Sequence, residues 1–364
     1  MKIAVLSNSF SEYNNKEVEE DLTVTGSAVV EALQSFGHEA KFYDVNEKTF
    51  ELLRKAKVDF AFNVCERFNG NSFFEPHVAA MLELLGIPHT GSGPLALALC
   101  MNKVRVKEIL AHNGIPTPKF QVFTSRNKKL DPELKFPLIV KPSCMDNSIG
   151  ITNDCVVNTE KELRSKVGYI NNVYGQPALV EEYIDGRELA VGVLGNGANA
   201  TVFPISEYTF GELPENMHKI LDYDAKWNQE SDIFKGSTEI CPAELPKYVE
   251  AKIRKIALDV YKLLEVRDYG RVDLRLSKDG IPYVLEMNPN PGISADNTLP
   301  KAAKAVGWTY NEMIHEIFVQ ASDRHDKRGE MVSKLELMKA AAAAQAALVA
   351  QQVPVKAEEG ASTL

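Results

Sequence analysis

The chain opens on a short apolar run, Ile3-Ala4-Val5-Leu6, that stops at polar Ser7-Asn8-Ser9, and Lys2 to Ser7 is therefore predicted as a buried strand. From Glu19 to Phe36 apolar positions recur at helical spacing, and Gly37 closes the helix. Glu39 to Tyr43 and Val58 to Val64 are two further strands, and Glu75 to Leu85 is a helix ended by Gly86. Strands alternating with helices predict a small open parallel sheet. After Gly91-Ser92-Gly93 one helix is expected to reach about His112, capped by Gly114. Ile115-Pro116-Thr117-Pro118 then forms an extended connection, because each proline disfavours helical backbone before it.

Between Phe120 and Asn172 strands alternate with one helix, and Leu138-Ile139-Val140-Lys141 is a buried strand ending on a lysine. Longer β runs follow at Ala178 to Tyr183, Glu188 to Leu194 and Val202 to Tyr208, then a helix from Pro246 to Leu264. The turn Lys278-Asp279-Gly280 joins Arg271–Ser277 to Tyr283–Met287 as a hairpin. This later block is expected to be antiparallel, which makes the fold class mixed α/β (α+β). Two helices, Leu299 to Ala305 and Thr309 to Ala321, complete the globule. Beyond Asp323 the sequence turns to charge and then to an Ala-rich run, Ala340 to Ala350, which predicts an isolated tail helix. The pattern divides the chain into residues 1–92, 93–185, 186–323 and a tail, 324–364.

A formal net charge of -9 without a Lys/Arg cluster argues against a nucleic-acid partner. Apolar stretches such as Ile87 to Cys100 are broken by Pro, Gly and His and fall short of the ~20 residues that span a bilayer, so no membrane association is expected. The N-terminal run lacks the features of a signal peptide. Five cysteines with no CxxC pair fit a reducing compartment, and a cytoplasmic location is expected.

Three segments carry candidate chemistry. In the hairpin, alternation along a strand puts Arg271 and Asp273 on one face, and likewise Glu286 and Asn288 on the partner strand. Two carboxylates and an amide oxygen set among apolar neighbours suit a hard divalent cation that bridges phosphate oxygens. The second segment, Lys141 to Gly150, follows a buried strand with a small, turn-prone loop that includes Asn147 and Ser148. Its ammonium and backbone N–H groups suit a nucleotide phosphate, although the GxxxxGK[ST] pattern is absent. The third, Glu181-Glu182-Tyr183-Ile184 with Asp185-Gly186-Arg187-Glu188, is either an acidic β-turn or a reader of adenine and ribose.

In order and spacing these pieces resemble the ATP-grasp superfamily, and most closely the D-alanine-D-alanine ligase family. The likeness runs to about residue 321 through Met81–Ser92, Met101-Asn102-Lys103, Ile139–Ser143, Val180–Ile184, Gly186–Leu189, Tyr223–Trp227, Gly270–Asp273 and Leu285–Gly292. It implies an N-terminal open α/β domain followed by two subdomains that sandwich ATP, and an ATP-dependent ligase acting through an acyl-phosphate. Residue by residue, it implies that Lys103 and Lys141 hold the ATP phosphates, with Ser148 in the loop behind. Glu181, Glu182 and the Ile184 backbone meet adenine, and Glu188 meets ribose. Lys226 reaches the γ-phosphate. Asp273, Glu286 and Asn288 bind magnesium (or manganese), two ions. Arg271 and the Gly292 N–H stabilise the oxyanion. A homodimer is implied by the same resemblance.

The amino-acid-binding positions depart from the family pattern. Asp21 stands where a glutamate is usual, Asn147 replaces a loop serine, Trp227 a tyrosine and Asn297 a serine, while Asn63–Gly70 replaces a His-Gly segment. Trp227 cannot donate a hydroxyl and Asn147 has another donor geometry. The ATP half is thus expected intact and the substrate half remodelled, with Glu66, Arg67, Glu75 and His77 at its altered end and a preference other than two D-alanines. Two alternatives stand beside this: another ATP-grasp chemistry, and an ATP-binding regulatory protein whose catalysis has decayed.

Overall fold

The computed structural model describes residues 1–8, 16–145, 148–211, 213 and 217–326, with 16–22 as backbone only. Asn147, the Asp21 side chain and the Ala-rich run from Ala340 to Ala350 therefore lie outside the described residues. Residues Met1–Ala321 form one compact unit.

Strands β1 (Lys2–Ser7), β2 (Glu39–Asp44) and β3 (Phe60–Asn63) make a parallel sheet in the order β2-β1-β3, connected by helices α1 (Lys16–Ser35) and α2 (Thr49–Ala56). Both faces are covered, as the apolar runs require. On one side Ile3 and Val5 pack with Val29 and Leu33 of α1 and with Ile314, Ile317 and Phe318. On the other, Ala4 and Leu6 meet Leu53 of α2 and Val78 and Leu82 of α3 (Glu75–Leu84).

The single helix expected up to His112 is instead two, α4 (Pro94–Met101) and α5 (Lys103–His112). Asn102 breaks them: its backbone is extended (φ -95, ψ 91) and its side chain accepts from the Arg105 N–H as the N-cap of α5. That choice follows from asparagine's preference for capping over helix interiors. It also starts α5 on Lys103, whose own N–H donates to the Ser143 carbonyl at 3.1 Å.

Strands β4 (Phe120–Phe123), β5 (Leu138–Pro142), β6 (Val156–Val157) and β7 (Ala178–Glu182) form an antiparallel sheet in the order β4-β7-β5-β6. Helix α6 (Glu160–Val173) covers one face, where Leu163, Val167 and Ile170 pack on Leu138, Val140 and Val180. Alternation sends Ile139, Lys141, Leu179 and Glu181 to the opposite face.

The third sheet contains β8 (Gly186–Leu194), β9 (Thr201–Val202) and β10 (Ser206–Phe210). After helices α7 (Tyr223–Trp227) and α8 (Asp232–Gly236) comes β11 (Ser237–Ile240). After helix α9 (Lys247–Leu263) come β12 (Tyr269–Ser277) and β13 (Pro282–Asn288). All pairs are antiparallel, in the order β11-β10-β8-β12-β13 with β9 on β8. The run expected as one strand from Val202 to Tyr208 is interrupted between β9 and β10 at Pro204, which has no N–H for a ladder. Val249, Ile253 and Ala257 of α9 pack on Val191, Val272 and Val284, so this face of the sheet is apolar. Helix α10 (Thr298–Ala305) follows, and residues 310–321 are helical. Among the described residues no helix is long and apolar enough to cross a membrane.

Candidate active site

The register of β12 with β13 pairs Arg271 with Asn288 and Asp273 with Glu286, and directly opposed residues share a face. Since β12 pairs regularly with β8 through Arg275 and Glu188, and β8 with β10 through Glu188 and Tyr208, the same face also carries those three side chains. Helix α9 holds the apolar face, leaving this polar one turned toward the sheet of β5 and β7. The cleft between them encloses about 830 Å³, part of it open to solvent. Lys103, Lys141, Ser148, Glu181, Glu182, Ile184, Glu188, Lys226, Asp273 and Glu286 line it. Residues as far apart in sequence as Lys103 and Glu286 are thereby brought to one cavity. Ile139, Ile151, Leu179, Leu189 and Leu285 give it an apolar floor suited to a flat ring.

Electrostatics divide the cleft. At its inner end Lys103 Nζ lies 2.5 Å from Glu286 Oε2. Burial pushes the Glu286 carboxyl up, but Lys103, then Lys226 and Lys141, outweigh it and bring its pKa down to about 2. Asp273 receives both arms of the Arg271 guanidinium, at 2.7 and 2.8 Å, and the Asn288 amide at 2.9 Å. Burial lowers Arg271, yet Asp273 more than restores it, so its pKa rises above the ordinary arginine value. Lys226 on α7 is lowered by burial and by Arg271, against the pull of Asp273 and Glu286. No group of three or more His, Cys, Asp or Glu side chains gathers among the described residues. Two carboxylates and an amide nevertheless fit magnesium, which takes few protein ligands and completes its shell with phosphate and water.

Glu188, expected near ribose, accepts from Arg275 at 2.9 Å and from the Leu221 N–H at 3.2 Å. Ser148 lines the cleft in left-handed backbone (φ 58), its hydroxyl donating to the Leu221 carbonyl at 2.9 Å. Glu181 is buried and faces two ammoniums, Lys107 and Lys141.

A second cleft, of about 920 Å³, opens on the other side of Arg271. It is lined by Glu66, Arg67, Glu75, Asn288, Asn290 and Gly292 with an apolar wall from Met101, Met145 and Met287. The altered loop is fixed from two sides. Asn8 accepts from the N–H groups of Glu66 and Arg67, both at 3.1 Å, and donates to the Arg67 carbonyl at 2.9 Å. Asn290 donates to the Cys65 carbonyl and to Glu75 Oε1, while buried Tyr269 donates to Asn290 Oδ1 at 2.7 Å. Asn297 stands beside Gly292, since a Cβ there would lie 2.9 Å from its Nδ2. His77 is not brought to this cleft: it is exposed on α3 with its ring edge-on to Phe74. Trp227 ends α7 half-buried.

Sequence reasoning missed Lys107, Tyr208, Asp222 and Arg275. Arg275 is two residues beyond Asp273, so strand alternation signals its face. Lys107 is one helical turn beyond Lys103, which alone does not distinguish it from a surface lysine.

Residues 109–319 match the family model described as D-ala D-ala ligase C-terminus. An uncharacterised protein of Sinorhizobium fredii is 36% identical over 310 residues, 83% of this chain and 88% of that protein. The D-alanine--D-alanine ligase of Bordetella petrii is 33% identical over 315 residues, 85% of this chain and 90% of that one. Among solved structures, D-alanine--D-alanine ligase from Bacillus anthracis complexed with ATP superposes with a TM-score of 0.71 at 27% identity, covering 90% of this chain and 99% of that one. With fold and sequence in agreement over most of its length, this chain belongs to the D-alanine-D-alanine ligase family of ATP-grasp ligases.

Proposed function

We propose that the enzyme joins the carboxylate of one amino acid, or a related small acid, to the amine of another through an acyl-phosphate, and that its preferred pair is not two D-alanines. ATP binds in the first cleft with adenine on the apolar floor beside Glu182 and Ile184 and ribose near Glu188. Lys103 and Lys141 meet the phosphates. A carboxylate oxygen of the first substrate takes the γ-phosphoryl group as the bond to the β-phosphate oxygen breaks, releasing ADP. The second substrate's amine then attacks the acyl carbon, forming the C–N bond, expelling phosphate and giving up a proton. Asp273, Glu286 and Asn288 would hold magnesium, which when bound would supply positive charge against the phosphate oxygens. Lys226 adds a cation at the transferring group, and Arg271 with the Gly292 N–H stabilises the oxyanion of the tetrahedral intermediate. No nucleophilic side chain is required.

The observation that carries this reading is the shared hairpin: Asp273 and Glu286 line the first cleft, while Arg271, Asn288 and Gly292 line the second. A phosphoryl group and its acceptor can therefore meet over one strand pair. Altered specificity rests on the charged loop of Glu66 and Arg67, pinned by Asn8 and Asn290. The test is ADP release against a panel of D- and L-amino acids, with products identified by mass. ATP binding without ADP release on any pair would indicate a binding protein, and vigorous turnover on D-alanine alone would refute the altered preference.

A further inference from the structure

Lys141 and Glu181 of the first cleft belong to a buried charge cluster whose third member, Lys107, lies outside the cleft lining and has no part in the reaction outlined above. Glu181 on β7 is 1% exposed at its side chain, and so is Lys107 on α5. One carboxylate oxygen faces Lys107, and the other lies 2.8 Å from Lys141 Nζ on β5, itself 12% exposed. Lys107 Nζ also donates to Thr117 Oγ1 at 2.6 Å, and that hydroxyl donates to the Val284 carbonyl on β13 at 2.8 Å. The Phe120 ring lies 5.8 Å from the same ammonium. Lys107 thus ties β7 of one sheet to β13 of the other.

We propose that Lys107 is a positioning residue for the nucleotide: it holds the Glu181 carboxylate so that the charge of Lys141 stays available to phosphate. Two ammoniums share one carboxylate, leaving the cluster with a net positive charge. Lys141 lines the cleft, so the surplus is presented there. With Lys107 removed, Lys141 and Glu181 become a neutral buried pair, and drawing Lys141 toward a phosphate would strand a buried anion, a costly outcome. Burial pulls the Lys107 pKa down against the attraction of Glu181, while for Glu181 the two lysines outweigh burial and keep it ionised. Both oxygens of Glu181 are thereby engaged by ammoniums, and its part in nucleotide binding is exercised through Lys141.

The proposal rests on the reading that ATP phosphates occupy this cleft, and the experiment separates the two. Binding of a non-hydrolysable ATP analogue with magnesium is measured by calorimetry on the full chain for wild type, Lys141→Met, Lys107→Met, Glu181→Gln and the Lys107→Met/Glu181→Gln pair, with KM for the amino acids alongside. Lys107→Met should weaken nucleotide binding roughly 10-fold or more, leaving the amino-acid KM unchanged. In the Glu181→Gln background the same change should cost less than about 2-fold, because the effect of Lys107 on the nucleotide runs through that carboxylate and not through its bond to Thr117. Should Lys107→Met alone fail to fold, the comparison of Glu181→Gln with the double variant still decides, since neither leaves a carboxylate unpaired. Wild-type affinity in Lys107→Met, or an undiminished loss in the Glu181→Gln background, overturns the proposal alone. Absence of wild-type binding, or indifference to Lys141→Met, overturns the cleft assignment and the proposal with it.

Discussion

Glu286 and Asp273 differ in what holds them, and substitution should separate the two. Glu286 is paired with Lys103 inside the cleft, whereas Asp273 anchors the Arg271 guanidinium. Glu286→Gln is expected to lower kcat roughly 100-fold or more and to raise the magnesium concentration at half-maximal activity. Asp273→Asn should do the same and also release Arg271, so its amino-acid KM rises as well; a magnesium titration at fixed substrate checks both. Asp222 gives a pH prediction. Its carboxyl caps α7 by accepting from the Ala225 N–H at 2.9 Å, and burial raises its pKa from 3.8 to about 6. The fold therefore favours the neutral acid: its contribution is full below the ordinary value and is lost as pH rises through about 6. Asn is as good an N-cap. Asp222→Asn should thus gain stability over wild type as pH climbs through that window, on the order of 1 kcal/mol, read by thermal melts on either side of it. At this scale the hairpin face was legible in the sequence, because period-two alternation alone puts Arg271 with Asp273 and Glu286 with Asn288. The partners of Glu181 were not legible, since Lys107 comes from a distant helix whose rotation only packing fixes.

Among the elements, the break between α4 and α5 shows where local chemistry overrides periodicity. The apolar pattern runs on through Met101 and predicts one helix, but the Asn102 side chain captures the Arg105 N–H and starts a new one. Asn102→Ala should destabilise the chain by about 1 kcal/mol and weaken ATP binding, because Lys103 is the first residue of α5. Urea unfolding and nucleotide titration of the same variant check this. On β12, Gly270 is fixed by its surroundings: a Cβ there would stand 2.4 Å from Met287 Cε, 2.9 Å from Val266 Cγ1 and 3.2 Å from the Asn288 carbonyl. Gly270→Ala is expected to cost about 1–3 kcal/mol through overpacking. It should also shift Asn288 and so reduce magnesium affinity. Strand existence in this block was readable from β-branched runs, whereas the interruption at Pro204 and the register of the sheet depend on pairings made across the chain.

In the molecule as a whole, two helix-backed sheets face each other across the first cleft, and the parallel sheet supplies the loop of the second. Tyr269 joins these parts. Its ring is buried in the core shared by the parallel sheet and the C-terminal helices, and its hydroxyl fixes Asn290, which in turn holds Cys65 and Glu75. Tyr269→Phe should cost about 1–3 kcal/mol by leaving the Asn290 oxygen without its buried donor. Amino-acid KM should rise while affinity for the nucleotide stays the same. The order of parallel, then antiparallel, sheets could be read from the alternation of patterns, but the meeting of Asn290 with Cys65 arises only when the ends of β3 and β13 come together. The strand pair common to both clefts also has a pharmacological corollary. A single compound carrying a purine at one end and a phosphorylated amino-acid mimic at the other would straddle the hairpin and be gripped in both cavities. Each half would raise the effective concentration of the other, so its residence should far exceed that of either fragment alone.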